Sequence, residues 1–212
     1  MQLSEPTRKR LVILANLLQQ ESCSTVGLTA KTITSKRISL LTGWTDATIR
    51  RDISKLGIKC GASNGYDIQS LQDALNSVVN PSEQMGKNKC CIVGLGRMGA
   101  ALLDYDGFSG AGFDLVAGFD ESVNRVEVLN ASFPLYPASR LEQVLAQEKI
   151  AYAVLAVPDK DANRYALRLV NAGVQGIVNC TTAVLTVPAE VDVENISIFG
   201  ALRNLIAKKH VG

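Results

Sequence analysis

The run Cys90-Cys91-Ile92-Val93-Gly94-Leu95-Gly96-Arg97-Met98-Gly99 constrains this chain more than any other segment. Four uncharged, strand-forming residues lead directly into G-x-G-x-x-G, and a helical pattern comes next. In that strand–turn–helix setting the glycines have separate duties. Gly94 permits a tight turn, Gly96 lets the backbone approach a pyrophosphate, and Gly99 lets helix and strand pack closely. The helix N-terminus favours the phosphate charge, with Leu95, Arg97 and Met98 filling the rest of the turn. A second strand ends in Phe119-Asp120. An acid there accepts hydrogen bonds from a ribose 2′-hydroxyl, which points to NAD rather than NADP. The spacing from turn to acid is longer than usual because the segment Asp106–Gly112 intervenes. Coenzyme A is a second ligand whose diphosphate suits the same turn.

Around this motif strand-like and helical runs alternate. Strands are expected at Lys89–Val93, Phe113–Phe119, Ala151–Val157 and Gly176–Asn179, with helices at Met98–Asp104, Leu141–Glu148 and Asp161–Ala172. That order predicts an α/β fold: a Rossmann-like parallel sheet covered on both faces. Cys90 and Cys91 read as core residues. With Cys23, Cys60 and Cys180 the cysteines number five, and none forms C-x-x-C, so neither a disulfide framework nor a metal site is expected.

The first 80 residues have a different pattern. Leu11, Leu14, Ala15, Leu17 and Leu18 form the stripe of an amphipathic helix. A short helix runs from Ser35 to Leu41 and ends at Gly43, and Thr45 caps another with Asp46 in its first turn. Two short helices joined through a glycine turn form a helix-turn-helix. Ile49 and Ile53 face inward, which leaves Thr48, Arg50, Arg51 and Lys55 to face outward. Arginine forks onto the O6 and N7 edge of guanine, and both basic residue types neutralise phosphates. A glycine-containing hairpin, Cys60 to Asp67, reads as a wing, with Lys59 able to approach the DNA backbone; a helix Leu71–Val79 completes this part. Charge agrees with this division. Residues 1–80 hold ten Lys/Arg against six Asp/Glu, and residues 81–212 hold twelve against fourteen.

No stretch reaches the length of uncharged apolar sequence that a membrane span needs, and the start, MQLSEPTRKRL, lacks the apolar centre of a signal peptide. A cytoplasmic protein without membrane contact is therefore expected. An oxidoreductase carrying an accessory helical domain is the competing class. It needs an acid or base beside the nicotinamide, but the single histidine is His210, and Asp159, Lys160 and Asp161 read as a loop and helix start. Ligand binding without turnover is expected.

Taken together, the two halves resemble the Rex family of redox-sensing transcriptional repressors over nearly the whole chain. The resemblance rests on Ala47-Thr48-Ile49-Arg50-Arg51-Asp52-Ile53-Ser54, Gly65-Tyr66, Gly94 to Gly99, Tyr105, Phe119-Asp120, Ala156-Val157-Pro158, Asn179-Cys180-Thr181-Thr182-Ala183 and Val187-Pro188. It implies a homodimer with a winged-helix DNA-binding domain (1–80), a Rossmann dinucleotide-binding domain (87–196) and a dimerisation helix exchanged between subunits (197–212). It further implies a repressor that senses the NADH/NAD⁺ ratio and leaves double-stranded operator DNA when NADH binds. Val157, Pro158 and Cys180 would then border the dinucleotide. In the family the exchanged helix begins with an Asp that pairs with a Tyr or an Arg in the two states of a switch. Tyr105 and Arg10 match those partners, whereas Ser197 stands at the Asp position and Ala201 at a usual Glu. Cys180 replaces a usual Phe, and Cys60 and Ser63 take the place of wing glycines. The departures at Ser197 and Cys180 bear on redox discrimination; DNA and dinucleotide binding carry over.

Overall fold

The computed structural model describes residues 3–23, 32–58, 65–79 and 88–209. The chain divides into two compact units, Met1–Met85 and Gly86–Gly212.

The first unit contains α1 (Glu5–Cys23), β1 (Thr32–Ile33), α2 (Ser35–Thr42), α3 (Asp46–Ser54), β2 (Tyr66–Asp67) and α4 (Ile68–Val79). Leu11, Leu14 and Leu18 lie on one face of α1 at helical spacing. They bury against Ile38, Ile53 and Leu75 from the other three helices. Each short helix has a defined start. Thr34 Oγ1 accepts from the Arg37 amide at 3.1 Å, and Thr45 Oγ1 from the Thr48 amide at 3.3 Å. Gly43 ends α2 in the left-handed region at φ 73°, and its N–H donates to the Ser39 carbonyl at 2.8 Å. These stops set the turn between α2 and α3.

The wing pairs β1 with β2 in antiparallel register, Ile33 opposite Tyr66. Residue order alone does not mark β1 as a strand. The expected wing tip, with Lys59, Cys60 and Ser63, lies outside the described residues. Helix α4 begins at Ile68 rather than Leu71, because Asp67 Oδ1 accepts from the Ser70 amide (2.8 Å) and hydroxyl (2.7 Å) and so starts the helix earlier.

The second unit is a six-stranded, all-parallel sheet in the order β5-β4-β3-β6-β7-β8. In chain order its elements are β3 (Asn88–Val93), α5 (Arg97–Ala101), α6 (Gly107–Gly110), β4 (Phe113–Asp120), α7 (Val123–Val128), β5 (Leu135–Pro137), α8 (Leu141–Glu148), β6 (Tyr152–Leu155), α9 (Asp159–Asn171), β7 (Gly176–Asn179), β8 (Asp192–Asn195) and α10 (Ile198–Lys209). Chain order reverses between β3 and β6, and a crevice opens at such a switch point. Side chains alternate across the sheet. Cys91, Val93 and Leu155 face α8 and α9, while Ile92 and Val154 belong to the cluster on the other face.

Three details differ from the sequence expectation. The helix expected at Met98–Asp104 ends at Ala101, and i→i+3 bonds from Leu102 and Leu103 tighten the next turn. Strand β5 is flanked by Pro134 and contains Pro137, which its edge position tolerates. Strand β8, Asp-Val-Glu-Asn, has no apolar alternation and is held through its ladder with β7. Among the described residues, no helix is long and apolar enough to cross a membrane.

Cys90 and Cys91 are buried within β3. Burial pushes the Cys90 thiol up to about 12, with the nearby Asp114 charge adding to it, and raises Cys91 further.

Leu155 is fully buried at the sheet centre. Leu155→Ala is expected to lower unfolding free energy by about 2–5 kcal/mol through lost transfer energy and a residual cavity. Urea denaturation monitored by circular dichroism checks this.

Candidate functional site

The glycine turn joins β3 to α5 at the switch point. Gly94 has φ 95°, and a Cβ there would lie 2.5 Å from the Ala156 carbonyl oxygen of the neighbouring strand's exit. A Cβ on Gly99 would collide with the Gly94 carbonyl and meet Ile92 Cγ2 at 3.3 Å. Gly96 instead has open space beside it. Gly94 and Gly99 thus have the turn and packing constraints that their spacing predicts, and the space beside Gly96 is open. Backbone bonds fix the turn on both sides: Gly94 N–H donates to Phe119 O, and Ala156 N–H to Val93 O, each at 2.8 Å.

Beside the turn lies a cavity of about 520 Å³, within the range of small-molecule sites. Its wall includes Gly94, Gly96, Asp120, Val157, Pro158 and Tyr165. Asp120 ends β4 and is 5% exposed. Its Oδ2 accepts from the Leu95 amide and its Oδ1 from the Ser122 amide, both at 2.7 Å. Arg125 Nη1 adds a bond to each oxygen at 3.2 Å. The Leu95 bond ties the acid to the glycine turn, and the Ser122 bond closes the bend that follows β4. The Arg125 side chain is 54% exposed, so its two bonds face solvent whereas the Leu95 amide bond is buried. Sequence reasoning missed Arg125, although a cation five residues after a candidate ribose acid was the available signal.

Tyr165 forms a polar-tipped part of the wall. Its hydroxyl donates to Glu121 Oε1 at 3.1 Å, and the Arg164 and Arg168 guanidinium groups lie 4.9 and 5.4 Å from its ring centre. Burial, with help from Glu121, pushes the phenol up to about 12, so it stays neutral at ordinary pH. Arg164 in turn holds the Glu121 carboxyl below its usual range.

Not all expected cofactor residues meet here. Arg97 and Met98 are exposed at the start of α5 and do not line this cavity. Cys180 also lies outside its wall; it comes directly after β7, half-buried in the cluster containing Ile92 and Leu95, and burial raises its thiol. Beyond it, Thr182 binds the Asp159 carboxylate through both amide and hydroxyl, which lowers that acid below its usual range and anchors the loop to α9. Tyr105 is 64% exposed, with its ring edge-on to Phe108 at 6.3 Å. Ser197 is occupied as a helix cap: its hydroxyl accepts from the Gly200 amide at 2.9 Å.

On the first unit, α3 presents Arg50 and Arg51 to solvent. Two of the residues expected to face outward are held by partners within this unit. Arg50 Nη2 pairs with Asp46 Oδ2 at 2.8 Å and its Nε reaches Ser35 Oγ at 3.3 Å. Lys55 Nζ donates to Thr7 Oγ1 at 3.1 Å. The Thr48 hydroxyl lies 2.8 Å from that of Thr45. Arg10 has an intrachain partner: Nε and Nη2 bind Asp52 Oδ2 and Oδ1 at 2.6 and 3.0 Å. Thr7 also donates to Asp52, at 3.3 Å. Asp52 is buried between Ile49 and Ile53 on α3. An acid at an inward helical position was the sequence signal for this pair.

Relatives share this architecture across most of its length. A Rex redox-sensing transcriptional repressor from Exiguobacterium sp. is 32% identical over 202 residues, covering 95% of this chain and 89% of the relative. One from Oenococcus oeni is 32% identical over 181 residues, covering 83% and 80%. The chain belongs to the Rex family. The crystal structure of RSP in complex with β-NAD⁺ and operator DNA superposes with a TM-score of 0.82 at 26% identity, covering 98% of this chain and 93% of that one. The RSP complex with β-NADH gives 0.82 at 25% identity, covering 98% and 94%. Residues 85–183 also match the family described as a CoA binding domain. The Rex relatives are named as repressors rather than enzymes.

Removing the buried acid leaves the Arg10 guanidinium and the Thr7 hydroxyl without their acceptor. Asp52→Ala is expected to destabilise the chain by about 2–4 kcal/mol, and Arg10→Ala by a similar amount because it strands the buried carboxylate. Denaturant midpoints of the two variants check this; unchanged midpoints would remove the pair as a structural tie.

Proposed function

We propose that this chain is a homodimeric DNA-binding repressor that senses the NADH/NAD⁺ ratio and releases its operator when NADH binds. The observation that carries the reading is the coexistence of two built sites. One chain holds a capped helix-turn-helix with arginines on its second helix and a glycine turn locked to a buried acid. It aligns over 98% of its length with a repressor solved with β-NAD⁺ and operator DNA.

In this reading Arg50, Arg51 and Lys55 contact DNA, with Thr48 near base edges, and Lys59 approaches the backbone from the wing. Lys55 reaches DNA by exchanging its bond to Thr7. The Gly94–Gly99 turn holds the pyrophosphate on the N–H groups of Gly96, Arg97 and Met98, while the Gly94 and Leu95 amides are committed to shaping the turn. Asp120 binds the adenosine ribose after Arg125 swings out, and Val157 and Pro158 border the adenosine. Cys180 sits on the nicotinamide side of the turn. NADH acts by favouring the DNA-incompetent arrangement; a hundredfold preference corresponds to about 2.7 kcal/mol of coupling. Arg10, Tyr105 and Ser197 occupy the switch positions. Ser197 supplies a capping hydroxyl where a charge would pair, so coupling rests on the remaining contacts. No turnover is assigned, since the Rex relatives are named as repressors, and the protein works in the cytoplasm, where operator and dinucleotide pools meet.

The dimer assignment rests on α10. Ile198, Phe199, Leu202, Leu205 and Ile206 are each 52–68% exposed. An apolar stripe of that size on one helix marks a protein–protein surface, and a second copy covers it by helix exchange. Leu202→Glu with Leu205→Glu is expected to convert the dimer to a monomer in light-scattering chromatography and to abolish operator retention. A double variant that stays dimeric would rule out this helix as the seam.

The deciding experiment titrates operator duplex, recovered by selection, at several NADH/NAD⁺ ratios, with calorimetric competition by coenzyme A. Binding that weakens as NADH rises is the expected result. Coenzyme A displacing both dinucleotides would move the chain to a coenzyme A sensor, the reading that the CoA-binding match favours. Consumption of NADH with a hydroxy acid would make it an oxidoreductase instead.

A further inference from the structure

Asp46 places an acid on the DNA-facing helix. Thr45 already caps α3 through the Thr48 amide, so Asp46 is not needed as the cap. A carboxylate on such a surface repels phosphates and weakens the electrostatic part of binding. As a helix-stabilising pair with Arg50, at four residues' spacing and with side chains 44% and 65% exposed, it contributes little. Among the described residues, Asp46 Oδ1 is the buried side-chain oxygen without a hydrogen-bond partner. The carboxylate is therefore partly desolvated, which costs stability that a surface ion pair does not restore.

What the arrangement achieves is restraint of Arg50. Its guanidinium is tied at two nitrogens to two different elements: Nη2 to Asp46 at the head of α3, and Nε to Ser35 at the head of α2. Ser35 is itself 7% exposed. A guanidinium carries five N–H donors, so three remain for a ligand while the side chain's rotamer is fixed. A planar, pre-set fork suits the O6/N7 edge of guanine; a mobile cation suits any phosphate. Arg51, the next residue, is exposed and is not drawn into this network.

We propose that Asp46, with Ser35, is a positioning residue that makes Arg50 a guanine reader at the cost of one phosphate interaction. The proposal rests on the DNA-binding reading above and assigns the division of labour within it: Arg50 specifies, Arg51 anchors.

The test uses the purified full chain and a randomised duplex library. Enriched sequences are read for the wild type, Asp46→Ala, Asp46→Asn and Ser35→Ala. Each protein is then titrated on the enriched duplex and on one with the preferred guanine replaced, at several salt concentrations. Asp46→Ala should lose about tenfold or more of the discrimination at one guanine per half-site. It should bind the altered duplex as tightly as the wild type or tighter, with a salt slope steeper by about 0.9 as the released Arg50 finds a phosphate. Asp46→Asn, which keeps one acceptor oxygen, should fall between the two, and Ser35→Ala should lose a smaller part of the same discrimination. A helix merely weakened would lower both affinities together and leave the salt slope alone. Equal changes on the two duplexes, or an unchanged preferred sequence, overturn the proposal. Should Asp46→Ala fail to fold by circular dichroism, Asp46→Asn and Ser35→Ala decide by the same criteria. A wild type that enriches no sequence at all sinks the DNA-binding reading together with this one.

Discussion

A single hydrogen bond organises the second unit: the Leu95 amide donating to the Asp120 carboxylate. It joins the exit of β3 to the exit of β4 just beyond their last ladder pair, Val93 and Phe119. The turn around it tolerates no added carbon at Gly94 or Gly99. The outcome is a rigid concave wall whose polar groups converge without help from a ligand. Sheet order then decides where that wall stands, because the chain reverses direction across the sheet only between β3 and β6. Preorganisation of this kind reduces the ordering a dinucleotide must impose when it binds.

The first unit is organised by an ion pair instead. Asp52 lies inside the helical core, and Arg10 reaches in from α1 to meet it with two bonds. The pair fixes the first turns of α1 against the C-terminal end of α3, and Thr7 and Lys55 extend the network to the helix surface. Any displacement of α1 would therefore be felt at α3. Arg10 is also a switch position in the Rex family resemblance, and its intrachain bond to Asp52 places that position one step from the recognition helix.

Much of this was legible from residue order. The strand–turn–helix around Gly94, the two caps at Thr45 and Gly43, and the inward Ile49 and Ile53 obey local rules that tertiary structure did not override. The parts that were not legible have physical reasons. Strand β1 has two residues and exists through pairing with β2. Strand β8 carries charge where a strand pattern would carry valine. The partners of Asp120 and Arg10 lie at distances in sequence from which no periodicity speaks: Leu95 is 25 residues before its acid and Arg10 is 42 before Asp52. Arg50 faces outward as its helical position dictates, yet it is engaged, and Lys55, just past the end of α3, is half-buried against Thr7.

The buried thiols of β3 carry a consequence for what kind of signal reaches this protein. Oxidants such as peroxide attack thiolates, and a thiol raised to about 12 is almost never one at neutral pH. Cys91 is sealed further, and Cys180 is shifted the same way by its own burial. The two β3 positions thus offer little thiolate for reactive oxygen to attack. Within β3, a redox signal is thereby left to the dinucleotide beside the sheet and not to the chemistry of sulfur.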